Sequence, residues 1–458
     1  MKRTLADIVA NLPADYADIR YEENHKTRIL YQGKQLKDVA SYDTSGGHLR
    51  TYADGGRALA SFSDPSAVEV VARSTCASAK TAGAHRDRPL RLVDAPSIEE
   101  SFPVSPTRDP RAVPLREKQE LLAHYNEMML RQPDIVTTTA IYDEFYSRRI
   151  FVNSDGSLIE YELLNVGIAG VVVAKRGNSV QRVSFAIGGQ EDFAPLVDRE
   201  DHFADKIDKA RALLDAEPVR AGNYPVVLDP GEAGLFIHEA FGHLSEGDGL
   251  QNNPAFRDRL TLGTKLGRPI LNVSDDPSLP GRPGTFVVDD EGVRGVKTRL
   301  ITEGVLTGRL HSRETAAEFG EPLSGNMRAV DATYTPIVRM SNIFIEPGAS
   351  TFDEMVASID DGYYLVGSKG GQTSGDQFTF GAQWGYRIVE GRLGPMVRDI
   401  NMSGELFSTL AAISMIGDDL GFAERGGCGK GTPMQLNRHS GKGSPHIKID
   451  RVTLGGVS

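Results

Sequence analysis

The chain has 458 residues, 40% of them hydrophobic and 25% charged, with a formal net charge of −11. At about 150 residues per domain, this length suggests two to four domains of ordinary globular composition. The acidic balance offers no basic footprint for nucleic acid, and two cysteines, Cys76 and Cys428, exclude a disulfide scaffold.

Asp7, Pro13 and Asp15 interrupt the apolar core that a signal peptide would need. The most apolar run, residues 165–175, has the length of a strand and is too short to span a bilayer. With unpaired cysteines, the expectation is a cytoplasmic protein without membrane contact.

Leu5, Ile8, Val9 and Leu12 have helical spacing, so the chain opens on a short amphipathic helix. Residues 17–63 then alternate polar and apolar, with turn signals at Gln32-Gly33 and Asp54-Gly55-Gly56. A helix capped by Asp64 or Ser66 follows and carries Cys76 as a small buried hydrophobe. Residues 87–114 are rich in proline and charge and read as a connector.

A helix over residues 114–132 follows, and a second strand block starts at Ile135. Two hairpins follow, turning at Asp155-Gly156 and at Arg176-Gly177-Asn178, and a helix over residues 201–216 closes the block. Both blocks share the order strands then helix, so residues 1–90 and 135–220 are expected to be a structural repeat within an N-terminal region spanning 1–220.

From residue 221 to 458 the chain is Gly-rich and mostly strand-like, with helices expected near 312–319 and 351–359 and one apolar helix after Asp229-Pro230. The predicted class is α+β. N-terminal antiparallel sheets are flanked by helices, and a C-terminal, largely antiparallel β domain carries one metal-binding helix.

That helix contains "HEAFGH", residues His238 to His243. Two imidazoles at i and i+4 differ by only about 40° around a regular helix, but at i and i+5 by about 140°. His238 and His243 can share a metal only if the helix widens locally or ends near Gly242. Glu239 flanks the first histidine, where it could take a proton from an activated water. A third ligand must come from elsewhere. Cys428, in "ERGGCGKGTP", is the best candidate: glycines on both sides allow close approach, and Lys430 could favour its thiolate. Core histidines and a buried cysteine in a tight turn are the alternative reading of the same residues. His311, His439 and His446 read as packing or surface residues.

"HEAFGH" and "GGCGK" (Gly426 to Lys430) together resemble the TldD/PmbA family of metalloproteases, specifically its metal-bearing, TldD-type branch. "DYADIRYEE", "GRALASFSD", "PLSGNMRA" and "GGQTSGDQF" extend the resemblance over nearly the whole chain. The resemblance implies that His238, His243 and Cys428 ligate one divalent metal and that Glu239 is the general base. Two N and one S donor fit zinc best, without excluding iron or copper. It also implies a peptide substrate, and a homodimer or a heterodimer with a metal-free paralogue. After the second histidine this chain reads "LSEGD", with Glu246 and Asp248 retained, and either carboxylate could orient an imidazole. The strand-rich surroundings suggest a peptide bound in extended form, with "GGQTSGDQF" as a candidate wall. The rival to a peptidase is a non-catalytic, metal-stabilised binding partner or modulator protein.

Overall fold

Asp54 and Gly55 both adopt positive φ, 53° and 75°. This is the two-residue turn whose twist matches a β-hairpin. In the computed structural model, which describes residues 1–251 and 253–455, it joins strand β2 (Gln35–Ala53) to β3 (Gly56–Phe62). Strand β1 (Tyr16–Gln32) precedes them, with helix α1 (Lys2–Ala10) before it and α2 (Val68–Gly83) after. The second block repeats this order: α3 (Leu115–Leu130), β4 (Ile135–Asn153), β5 (Leu158–Arg176), β6 (Ser179–Gln190) and α4 (Glu200–Ala212).

The two blocks are one sheet, in the order β3-β2-β1-β4-β5-β6, because β1 and β4 pair antiparallel from Asp18↔Asn153 to Gln32↔Thr139. The two hairpins expected in the second block are a single meander, since the 19-residue β5 serves both turns. Gly167 and Gly170 fall inside β5 and its pairing with β6 shifts register at Val166/Gly167, but neither ends the strand. The connector carries little regular structure beyond the two-residue strand Ser101–Phe102 and a 3-10 turn at Pro110–Ala112.

The C-terminal half is α+β in its own right. Strands β7 (Gly222–Leu228), β11 (Asp361–Ser374), β12 (Gln377–Val389), β14 (Ile400–Glu405) and β18 (Ile447–Gly455) close a ring in the order β11-β7-β18-β14-β12 and back to β11. Strand β13 (Arg392–Arg398) adds to β12 outside the ring. A second sheet contains β8 (Val273–Asp275), β9 (Thr298–Thr302), β10 (Asn342–Ile345) and β17 (Gly441–Ser444), with β10 and β17 parallel. Helices α6 (Arg313–Phe319) and α7 (Phe352–Ala357) start at Ser312 and Thr351, each with a capping box. Strands β15 (Cys428–Lys430) and β16 (Gln435–Asn437) form a short separate hairpin.

Helix α5 (Pro230–Ala240) lies in the core of this half. Asp229 caps it by accepting from the Glu232 N–H at 2.8 Å. Leu235, Phe236 and Ile237 are buried around its circumference, worth about 1.5–3 kcal/mol each. Phe236 meets Phe378 and Phe380 of the ring edge-on. On the other side, a Cβ on Gly234 would stand 3.2 Å from the Gly443 backbone nitrogen, so glycine lets helix and strand β17 touch.

The halves dock through buried charge. Asp290 accepts from Arg20, from Arg149 at 3.3 Å and from the Tyr161 hydroxyl at 2.7 Å. Glu291 binds Arg50 at 2.7 Å, and Glu22 accepts from the Ala332 N–H at 2.7 Å. Among the described residues no helix is long and apolar enough to cross a membrane.

Candidate metal centre

Helix α5 ends at Ala240, two residues before Gly242, and a 3-10 turn runs from Gly242 to Ser245. The α-helical bearing is therefore abandoned where i+5 spacing would have sent the imidazoles apart. Instead the rings of His238 and His243 lie 5.3 Å apart, edge to face. Gly242 makes this possible by packing: a Cβ there would fall 2.1 Å from Met340 Sδ and 3.0 Å from Ile343 Cδ1.

The β15–β16 hairpin delivers the third group. Arg339, itself buried, donates to the carbonyls of Cys428 at 2.8 Å and Gln435 at 3.0 Å, pinning the hairpin down. Cys428 Sγ then stands 3.4 Å from His243 Nε2, and donor atoms of His238, His243 and Cys428 all lie within 4.8 Å of one another. In a tetrahedral zinc site, N and S donors at their usual bond lengths are separated by roughly 3.5 Å. His238 is fully buried and neither ring nitrogen has a hydrogen-bond partner. A buried imidazole with nothing to bind is the exception in a folded core, and a metal would satisfy it. These three residues could hold a metal ion.

The electrostatics suit that role. Burial, then His243, Lys442 and Arg339, hold His238 well below the ordinary histidine range, so it is neutral. Burial alone would lower His243 too, but Glu246 and Cys428 raise it well above the ordinary value. Any metal at Nε2 must displace that proton. His243 Nδ1 donates to Glu246 Oε2 at 2.9 Å, which turns the Nε2 lone pair of the neutral ring towards Cys428. Glu246 is wholly buried. Burial would raise its pKa, but Lys430 and His243 bring it down to about 2. It also accepts from the Met340 N–H at 3.2 Å.

Of the two carboxylates after the second histidine, then, Glu246 contacts the imidazole, whereas Asp248 binds Lys430 at 2.6 Å and the Val338 N–H at 3.0 Å. Lys430 is committed to Glu246, Asp248 and the Val338 carbonyl, so it does not serve the Cys428 thiol as the sequence suggested. Cys428 and Lys430, two apart on β15, lie on one face of the strand, but which group each meets is decided by what packs opposite. A second lysine, Lys442 of β17, which periodicity did not single out, has Cys428 among the groups that favour its charged form.

Glu239 sits at the rim of the cluster. Its side chain is 24% exposed and its Oε2 lies 3.9 Å from His243 Nε2. Thr373, at the tip of the β11–β12 hairpin, donates to the Glu239 carbonyl at 3.1 Å, so "GGQTSGDQF" lies beside the site. His311 bonds Thr315 and Glu321, and His446 bonds Asp419 and Tyr364. Neither they nor His439 join the cluster.

A buried helix that ends beneath a cluster of two imidazoles and a thiol is the arrangement of a protein that could bind a metal ion. The sequence comparisons place it more closely. The PmbA/TldA metallopeptidase C-terminal domain matches residues 221–456, the central domain 108–216 and domain 1 17–79. The chain belongs to the PmbA/TldD family. It is 35% identical over 461 residues to a metalloprotease of Synechocystis sp., covering 100% of this chain and 98% of the relative. It is 33% identical to a zinc metalloprotease TldD homolog of Saccharolobus solfataricus, over 69% of this chain and 70% of that one. TldE from Thermococcus kodakarensis has a similar fold, with a TM-score of 0.75 at 17% identity over 99% and 98% of the two chains.

Proposed function

We propose that the chain is a metal-dependent peptidase, with one divalent ion, zinc, held by His238, His243 and Cys428. The observation that carries this reading is the convergence of three donor atoms within 4.8 Å beside a carboxylate free to move a proton. A metal bound there supplies a Lewis acid that polarises the scissile carbonyl and acidifies water.

The protein's own groups do the rest. Glu239 takes the proton from the attacking water and returns it to the leaving amine. Glu246 fixes the ring of His243. The β11–β12 hairpin tip, held to Glu239 by Thr373, forms one wall along which an extended peptide can lie. Backbone recognition of that kind gives loose sequence preference.

A non-catalytic modulator would close the metal's coordination with a fourth protein ligand. Among the described residues the cluster has three donors, and the side chains of His243 and Glu239 are 25% and 24% exposed, which favours catalysis. The likeness to a protein called TldE supports pairing with a metal-free paralogue, alongside self-pairing.

The test is Glu239→Gln. Metal-loaded parent protein cleaves unfolded peptides, and the variant loses at least about 100-fold in rate while retaining its metal. Equal cleavage by both would remove Glu239 from the mechanism.

A further inference from the structure

Lys430 and Lys442 both approach the cluster, and they differ in one respect. Lys430 has three anionic or carbonyl partners, Glu246 at 2.9 Å, Asp248 at 2.6 Å and the Val338 carbonyl at 2.8 Å. Lys442 has no carboxylate within ion-pair reach and no hydrogen-bond acceptor among the described residues.

The position of Lys442 follows from register. It stands opposite Ile343 in the parallel β10–β17 pair, so both side chains share a face. Ile343 is the residue whose Cδ1 lies against Gly242, so that face looks onto the junction of α5 with the 3-10 turn. Gly443, the next residue, points the other way, towards the Phe422 ring. The lysine is half-buried. The groups that act on its charge are Glu239, Cys428 and Glu232.

Each favours the charged lysine from a distance, but none forms an ion pair or hydrogen bond with it among the described residues. Glu232 is fully buried and neither carboxylate oxygen has a hydrogen-bond partner; burial together with Asp229 raises its pKa well above the ordinary value, against the pull of Lys442. Cys428 is turned towards His243, and the Glu239 carboxylate, the nearest in effect of the three, lies 3.9 Å from His243 and forms no ion pair with Lys442 among the described residues. A partly desolvated ammonium without a partner is costly to hold, and that cost is recovered when an anion arrives.

We propose that Lys442 is an anion subsite of the substrate cleft, receiving a carboxylate of the bound peptide. The inference rests on the peptidase reading and narrows its substrate class to peptides that place a carboxylate beside the scissile bond. Burial lowers the Lys442 pKa, and an anion brought by the substrate favours its charged form. A carboxylate has two sources, the peptide's C-terminus and an Asp or Glu side chain. A point-charge ammonium accepts either.

The experiment uses full-length, metal-loaded Glu239→Gln protein, and reads binding by calorimetry rather than turnover. Three N-acetylated hexapeptides of one sequence are compared: C-terminal carboxylate, C-terminal amide, and C-terminal amide with one interior glutamate. The carboxylate-bearing peptide binds about 10-fold tighter than the neutral one. Lys442→Met and Lys442→Gln abolish the preference, and Lys442→Arg retains it. Whichever charged peptide carries the gain identifies the source. Equal binding of charged and neutral peptides, or a preference that survives Lys442→Met, overturns the proposal. So does a Lys442→Met protein, otherwise parental, that turns over neutral and charged peptides equally slowly with unchanged binding, since Lys442 would then act on the oxyanion. If Lys442-dependent binding is found but the parent cleaves nothing, the subsite stands and the peptidase reading fails.

Discussion

Cys428 follows His243 by 185 positions, yet its Sγ stands 3.4 Å from His243 Nε2. Nothing local to either residue produces that distance. It depends on the 3-10 turn that swings His243 back and on Arg339, which holds the β15–β16 hairpin by two carbonyls.

If these donors hold the metal, Cys428→Ser releases it. The parent retains about one equivalent after gel filtration, measured by elemental analysis, and the variant retains little. Because Cys428 lies at a hairpin edge, far-ultraviolet circular dichroism stays parental. A chelator applied to the parent abolishes cleavage, and added zinc restores it.

Glu246→Gln keeps the shape of the side chain but loses its charge. It weakens the hydrogen bond that orients His243 and leaves Lys430 paired to Asp248 alone. Metal affinity, measured by competition with a chromophoric chelator, falls about 10- to 100-fold. An unchanged affinity would mean that the imidazole needs no such support.

Gly242→Ala places a methyl group 2.1 Å from Met340 Sδ, inside a packed core. The expected cost is about 1–3 kcal/mol in urea denaturation, with a parallel loss of metal affinity as His243 is displaced. Met340→Ala in the same protein relieves part of both, and a double-mutant cycle measures the coupling.

Asp290→Ala leaves Arg20 and Arg149 buried with Glu22, at 3.6 and 3.4 Å, as the carboxylate they still share. Burial would raise the Asp290 pKa, but those two arginines hold it below the ordinary carboxylate range. Removing it costs about 3–5 kcal/mol. The loss is read as a lower midpoint in urea denaturation and as earlier hydrogen exchange in β1 and β4 than in the C-terminal ring.

His48 makes the fold acid-sensitive above the carboxylate range. Burial, with Arg20 and Arg50 nearby, pushes its pKa down to about 3 from 6.5. A depressed histidine supports the fold fully above the unfolded value and loses that support as pH falls from 6.5 towards 3. Between pH 7 and pH 5 this group alone removes about 2 kcal/mol. Urea midpoints measured across that interval show the loss, and His48→Gln flattens it.

Much of the architecture was legible because it is written in short-range chemistry. Asp54-Gly55 is a turn because few other pairs tolerate positive φ at both positions, and Asp155-Gly156 because Gly156 takes a positive φ that glycine adopts freely. Ser312 and Thr351 begin helices because their hydroxyls satisfy free N–H groups. The merging of the two N-terminal blocks into one sheet was not legible. The β1–β4 pairing joins strands more than a hundred residues apart, and alternation of side chains names a strand but never its neighbour.

The candidate site divides in the same way. The sequence by itself determined which side chains carry the chemistry and imposed a geometric condition: a helix bearing histidines at i and i+5 must change course between them. Covalent spacing and helical pitch are local properties, so that condition could be stated without coordinates. Only the tertiary structure decided how the condition is met, by ending α5 at Ala240 and packing Met340 against Gly242. It also decided which charges serve which groups: Glu246 rather than Asp248 on the imidazole, Lys430 drawn away to both carboxylates, Lys442 within the influence of Glu239, Cys428 and Glu232. Electrostatic partnership depends on distance and desolvation, and both are set by what packs across the interface rather than by neighbours along the chain.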